Sequence, residues 1–155
     1  MNKNLIRLPI VTLVIGILLR VSNFTIAYFL ARGTTEWTLE MDNATFYINL
    51  VLSIVLFIMG GLFLRRTDKT SLTKSATILV IYSVLMLALE KVTQHFGVYL
   101  IIYWLFLPIE LFTTITSVIA RISAAEEISW LYVLPSIIAP YMFVIFGKNS
   151  KKTNN

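Results

Sequence analysis

The chain has 155 residues, 57% of them hydrophobic and 14% charged, with a formal net charge of +5 and no cysteine. Soluble domains are about 45–50% apolar and about 25% charged, so this composition excludes an ordinary soluble domain and predicts an all-α polytopic membrane bundle. Zero cysteines removes disulfides, thiolate metal sites, iron–sulfur clusters and a cysteine nucleophile, while the basic residues fall between apolar runs, where they set topology rather than bind nucleic acid.

Long apolar runs bounded by charge predict five spans within one integral-membrane domain, residues 1–155: Leu8 to Ala31, Ala44 to Leu64, Ser75 to Gln94, Val98 to Ala120 and Ser129 to Phe146. The first begins after Lys3 and Arg7 like a signal peptide, but it is too long, Arg20 interrupts it and Phe29 with Ala31 makes a poor cleavage site, so an uncleaved span is expected. Arg65, Arg66, Lys69 and Lys74 outweigh Asp68 in the connection between spans two and three, which places that loop and the N-terminus in the cytoplasm. The acidic connection Arg32 to Asn43, carrying Glu36, Glu40 and Asp42, and the turn His95-Phe96-Gly97 then lie outside, and Arg121, Glu126 and Glu127 return inside. Five full spans leave Lys148, Lys151 and Lys152 outside, against the rule that set the rest. Either the fifth segment, with Pro135 and Pro140, is broken or re-entrant, or a short basic tail is tolerated outside. The expected setting is a prokaryotic cytoplasmic membrane.

Inside lipid the polar residues carry the information, because an ionisable group at mid-membrane costs at least about 2.5–3.5 kcal/mol unless paired or hydrated. Span one aligns Thr12, Gly16, Arg20, Asn23, Ala27 and Ala31 on one helical face, and span four aligns Tyr103, Glu110, Thr114, Ser117 and Arg121. Span two offers Thr45, Asn49, Ser53 and Gly60, and span three offers Ala76, Ser83 and Glu90. At 1.5 Å rise per residue, Arg20 lies roughly 18 Å from one face and Glu110 roughly 18 Å from the other, so antiparallel spans one and four bring both to the middle third. An Arg20 to Glu110 pair is therefore predicted, with Asn23, Asn49 and Glu90 in the outer third as a polar layer just above it, together outlining a ligand or ion site open to the outside. The competing reading is a structural clamp, in which the pair only fixes helix register.

Other chemistry is not supported. The chain has no Walker A loop, no Gly-x-Gly-x-x-Gly fingerprint and no His-Glu-x-x-His helix. Its two aspartates, Asp42 and Asp68, fall on opposite sides. Glu126-Glu127 is similar to the paired glutamates of membrane-embedded CAAX-type proteases, but the arginine and later histidines that belong with them are missing. No catalytic residue, metal or cofactor is expected. The function read from the sequence is a small membrane protein that binds or passes a small polar solute or ion. The alternative is a non-transporting accessory, immunity or assembly subunit whose charges only hold helices together. Membrane lipid is the expected surrounding, and a homo-oligomer or larger membrane complex is expected if the chain forms a pathway, with Gly60-Gly61 as a close-contact point.

Overall fold

A computed structural model describes residues 3–93, 103–123 and 130–149. The expected turn His95-Phe96-Gly97, the start of span four at Val98, the glutamates Glu126 and Glu127, and Lys151 and Lys152 lie outside the described residues. The described residues form an all-α bundle without a β-strand, apart from one isolated bridge between Asp68 and Lys148. Helices α1 (Lys3–Ala31), α2 (Leu39–Leu64) and α3 (Lys69–Thr93) are each long and apolar enough to cross a membrane. Their outward faces carry large exposed apolar side chains such as Phe24, Val51, Phe63 and Leu85, as a lipid-facing surface requires.

Local sequence sets the helix ends. Gly33 adopts a left-handed φ of 88° just past α1, so the chain turns there and Thr34 N–H bonds back to the Ala31 carbonyl. Thr38 caps α2, its hydroxyl accepting from Met41 N–H at 3.3 Å, and Glu40 and Asp42 complement the positive end of the helix. Pro9 lies inside α1 and cannot donate to the carbonyl of Leu5; the Ser75 hydroxyl of α3 donates to that carbonyl instead, at 2.7 Å. These helices define two ends of the bundle. One is basic, with Arg7, Arg65, Arg66 and Lys69, and the other is the acidic connection with Glu36, Glu40 and Asp42.

The fourth segment departs from the expected straight span. Tyr103 lies beside Arg20 and Phe24 of α1, Leu107 lies a helical turn nearer the basic end beside Gly16, and a 3-10 turn at Leu107–Ile109 then reverses the chain. From there α4 (Glu110–Ile122) climbs back, ending where Arg121 meets Asp42 and Asn43 at the start of α2. Thus α4 runs parallel to α1 rather than antiparallel, and Arg121 sits at the acidic end rather than returning to the basic one. Pro108 is the cause: it has no N–H to continue the helix and its ring clashes with the preceding turn. The carbonyls orphaned by the reversal find side-chain donors, Tyr103 O from Arg20 Nη1 at 3.3 Å and Leu105 O from the Tyr82 hydroxyl at 2.7 Å.

The fifth segment is broken, as one of the two expectations had it. Helix α5 (Trp130–Ile138) packs on α4 through the Thr116 and Ser136 hydroxyls, and a 3-10 stretch, Ala139–Phe146, carries the chain on toward the basic end. There the Lys148 N–H donates to Thr67 O at 2.9 Å and its carbonyl accepts from Lys69 N–H at 3.0 Å. Lys148 therefore shares the basic end with Arg65 and Arg66. Because the fourth segment turns back, the chain after Trp130 reaches the basic end, in keeping with the charge asymmetry. Gly60 and Gly61 do not form an open contact point: Phe143 and Phe146 lie against them, with the Phe146 ring 2.5 Å from where a Cβ on Gly61 would stand.

Candidate functional site

The reversal at Pro108 brings Glu110 to Arg20. Arg20 is 4% exposed and Glu110 17% exposed, and Arg20 Nη2 donates to Glu110 Oε2 in a salt bridge. The guanidinium also lies over the Tyr103 ring, with its central carbon 3.4 Å from the centroid. Both limbs of the hairpin are thus held by one side chain from α1. Its Nε is buried without a hydrogen-bond partner among the described residues. Gly16, one turn away, permits the approach, since a Cβ there would stand 1.8 Å from the Leu107 carbonyl oxygen.

Above this pair a cavity of about 320 Å³ lies between α1, α2 and α4. Glu110 and Ser53 form its floor, Asn23 and Asn49 its wall, Thr113, Thr114 and Ser117 the side given by α4, and Asp42 with Arg121 its mouth. The Asn49 amide donates to Asn23 Oδ1, tying α2 to α1, while Asn49 Oδ1 is buried and has no partner among the described residues. At the mouth Arg121 is paired with Asp42, donates to Asn43 Oδ1 at 2.6 Å and stacks over Phe46 at 4.2 Å. Beyond the floor toward the basic end the bundle is packed with Ile15, Leu56, Leu107, Ile109 and Phe143. The cavity is therefore a polar vestibule closed toward the basic end among the described residues.

Of the residues expected to converge, Arg20, Glu110, Asn23 and Asn49 do so, and Glu90 does not. Glu90 stands near the end of α3 and is absent from the cavity lining. Helix α3 packs on α1 through Ser75 and Leu5, and the cavity lies among α1, α2 and α4. Tyr103 belongs to the predicted polar stripe, but its place as the ring beneath Arg20 was not foreseen, and Arg121 was expected on the wrong side of the bundle. Pro108 was the overlooked signal for both, since a hairpin there returns α4 to Asp42. Among the described residues, no group of three or more His, Cys, Asp or Glu side chains could hold a metal ion.

No family model, curated protein or solved structure matches the chain.

Proposed function

We propose that this membrane protein binds a small polar solute or ion in the vestibule that ends at Glu110, with the basic end of the bundle in the cytoplasm. One observation carries the reading: a polar cavity reaches from the Asp42–Arg121 mouth to a buried ion pair, and a wall residue, Asn49, keeps an unused acceptor. A polar group buried in a bundle costs free energy unless something hydrogen-bonds to it, and a solute or water in the cavity supplies that partner once the Asn49 amide turns toward it. The packed apolar floor favours binding over free passage, because a path to the basic end requires the hairpin to move. The expected sidedness follows from charge, since Arg65, Arg66, Lys69 and Lys148 share one end.

A panel of ions, amino acids and small polyols tested for ligand-dependent thermal shift of the purified protein tests the reading. Asn49→Leu, which also loses the hydrogen bond to Asn23, should fold with lowered stability and lose any shift, whereas Glu90→Gln should retain it because Glu90 does not line the cavity. A shift unchanged in Asn49→Leu would refute the site. The accessory-subunit reading rests on a different observation: Arg20 spends its donors on Tyr103 O and Glu110, both in the hairpin, as a helix clamp would. Absence of a shift across the whole panel in the native protein favours that reading.

A further inference from the structure

Two chambers of opposite character meet at a single hydrogen bond. On the far side of the α2 and α4 contact from the vestibule lies an apolar groove of about 240 Å³, formed by Leu50, Ile54 and Phe57 of α2, Leu111, Ile115 and Val118 of α4, and neighbouring side chains including Met142. Ser53 and Thr114 line both chambers, and their hydroxyls, 3.1 Å apart, bridge the helices between them. Among the described residues, α2 and α4 share only one other polar tie, the Arg121 clamp at the mouth. The groove opens sideways beside Ile54, which is 52% exposed on the surface that faces lipid.

The charges of the vestibule are already matched within the protein. Glu110 is paired with Arg20 and Asp42 with Arg121, so a ligand bearing a net charge finds no spare counter-charge. What is spare is an acceptor. Asn49 Oδ1 is buried without a partner, and Glu110 Oε1 makes no hydrogen bond among the described residues. Such a site calls for hydrogen-bond donors without net charge, and the groove beyond Ser53 and Thr114 calls for hydrocarbon.

We propose that the ligand is a single-chain amphiphile with an uncharged, hydroxyl- or amide-bearing head, its head in the vestibule and its chain in the groove, passing between α2 and α4 where Ser53 meets Thr114. This rests on the vestibule being a binding site and names its ligand class. The ligand reaches the site sideways from the bilayer, and the Ser53 to Thr114 hydrogen bond yields as the head enters.

The test uses labelled 1-monooleoylglycerol and the protein in phosphatidylcholine nanodiscs, with Ile54→Cys as a handle in a chain free of other cysteines. Alkylating that thiol with benzyl maleimide after folding fills the groove without asking an altered core to fold. Binding should fall by about tenfold or more on alkylation, bound monooleoylglycerol should slow the alkylation itself, and Asn49→Leu should weaken binding by a similar factor. Oleate, with the same chain and a charged head, should compete poorly. Unchanged binding after alkylation overturns the amphiphile, and if free glycerol still raises the melting temperature of native protein but not of Asn49→Leu, the vestibule survives as a site for a small solute. Unchanged binding in Asn49→Leu as well removes both readings. Competition by oleate equal to that by unlabelled monooleoylglycerol overturns the uncharged head.

Discussion

The bundle contains the same triad twice, an arginine that grips a carboxylate while lying over an aromatic ring, once at each end of the vestibule. At the floor Arg20 is 4% exposed and Glu110 17% exposed beside the Tyr103 ring, whereas at the mouth Arg121 is 36% exposed and Asp42 51% exposed over Phe46. Identical chemistry has different consequences in the two places. In a buried setting, removal of one partner leaves a charge largely shielded from bulk water, at about 3–5 kcal/mol. At an exposed site water and salt compete with the pair, which is then worth about 0–1 kcal/mol. The floor triad therefore fixes the hairpin, and the mouth triad can open without unfolding anything.

The largest effect tests the position of the second triad. Single cysteines at Thr38 and Ile122 should react with an impermeant maleimide from one side of the membrane, and cysteines at Thr70 and Asn149 only from the other. Labelling of Ile122 from the Thr70 side would abolish the mouth triad and with it the comparison. Next in size, Arg20→Met should lower thermal stability and yield by about 3–5 kcal/mol in effect, and Arg20→Met with Glu110→Leu should recover most of that. Equal yields of the single and double variants would mean that the two side chains do not meet. Gly16→Ala pushes the Leu107 carbonyl away and should cost about 1–3 kcal/mol. Because it loosens the same hairpin, its effect should add less than fully to that of Arg20→Met, as thermal denaturation of the native protein, the two single variants and the double variant would reveal. The smallest change is expected of Arg121→Gln, about 1 kcal/mol or less, and high salt should lower native stability by a comparable amount while leaving Arg121→Gln unmoved. A salt response equal in both would remove Arg121 as its source.

The meeting of Arg20 with Glu110, and of Asn23 with Asn49, was legible in the sequence because lipid penalises every unpaired polar group and leaves few partners to choose from. Depth was readable too, since each residue adds a fixed rise along a helix. Azimuth was not. Which neighbour Glu90 faces depends on packing that hydropathy does not encode. Direction was hidden for the same reason: the residues before and after Pro108 are both apolar on average, so the sequence reads as one long run where the chain makes a hairpin. The two expectations then compensated one another. Glu110 reaches the depth of Arg20 whether the fourth segment arrives there on the way through or turns there. Arg121 distinguishes the cases, and it was misplaced.

The seal between the Ala139–Lys148 stretch and the loop at Thr67, a residue only 3% exposed, has a consequence for biosynthesis. The three long helices are synthesised before it, so they must dwell in the bilayer with the glycine seam of α2 uncovered until Phe143 and Phe146 leave the ribosome. The last segment works as a latch, closed once and from the ribosome's side if the basic end is cytoplasmic. Chains that stop short of residue 139 would present that seam to whichever helix drifts past, and the membrane quality-control machinery would meet them as open bundles.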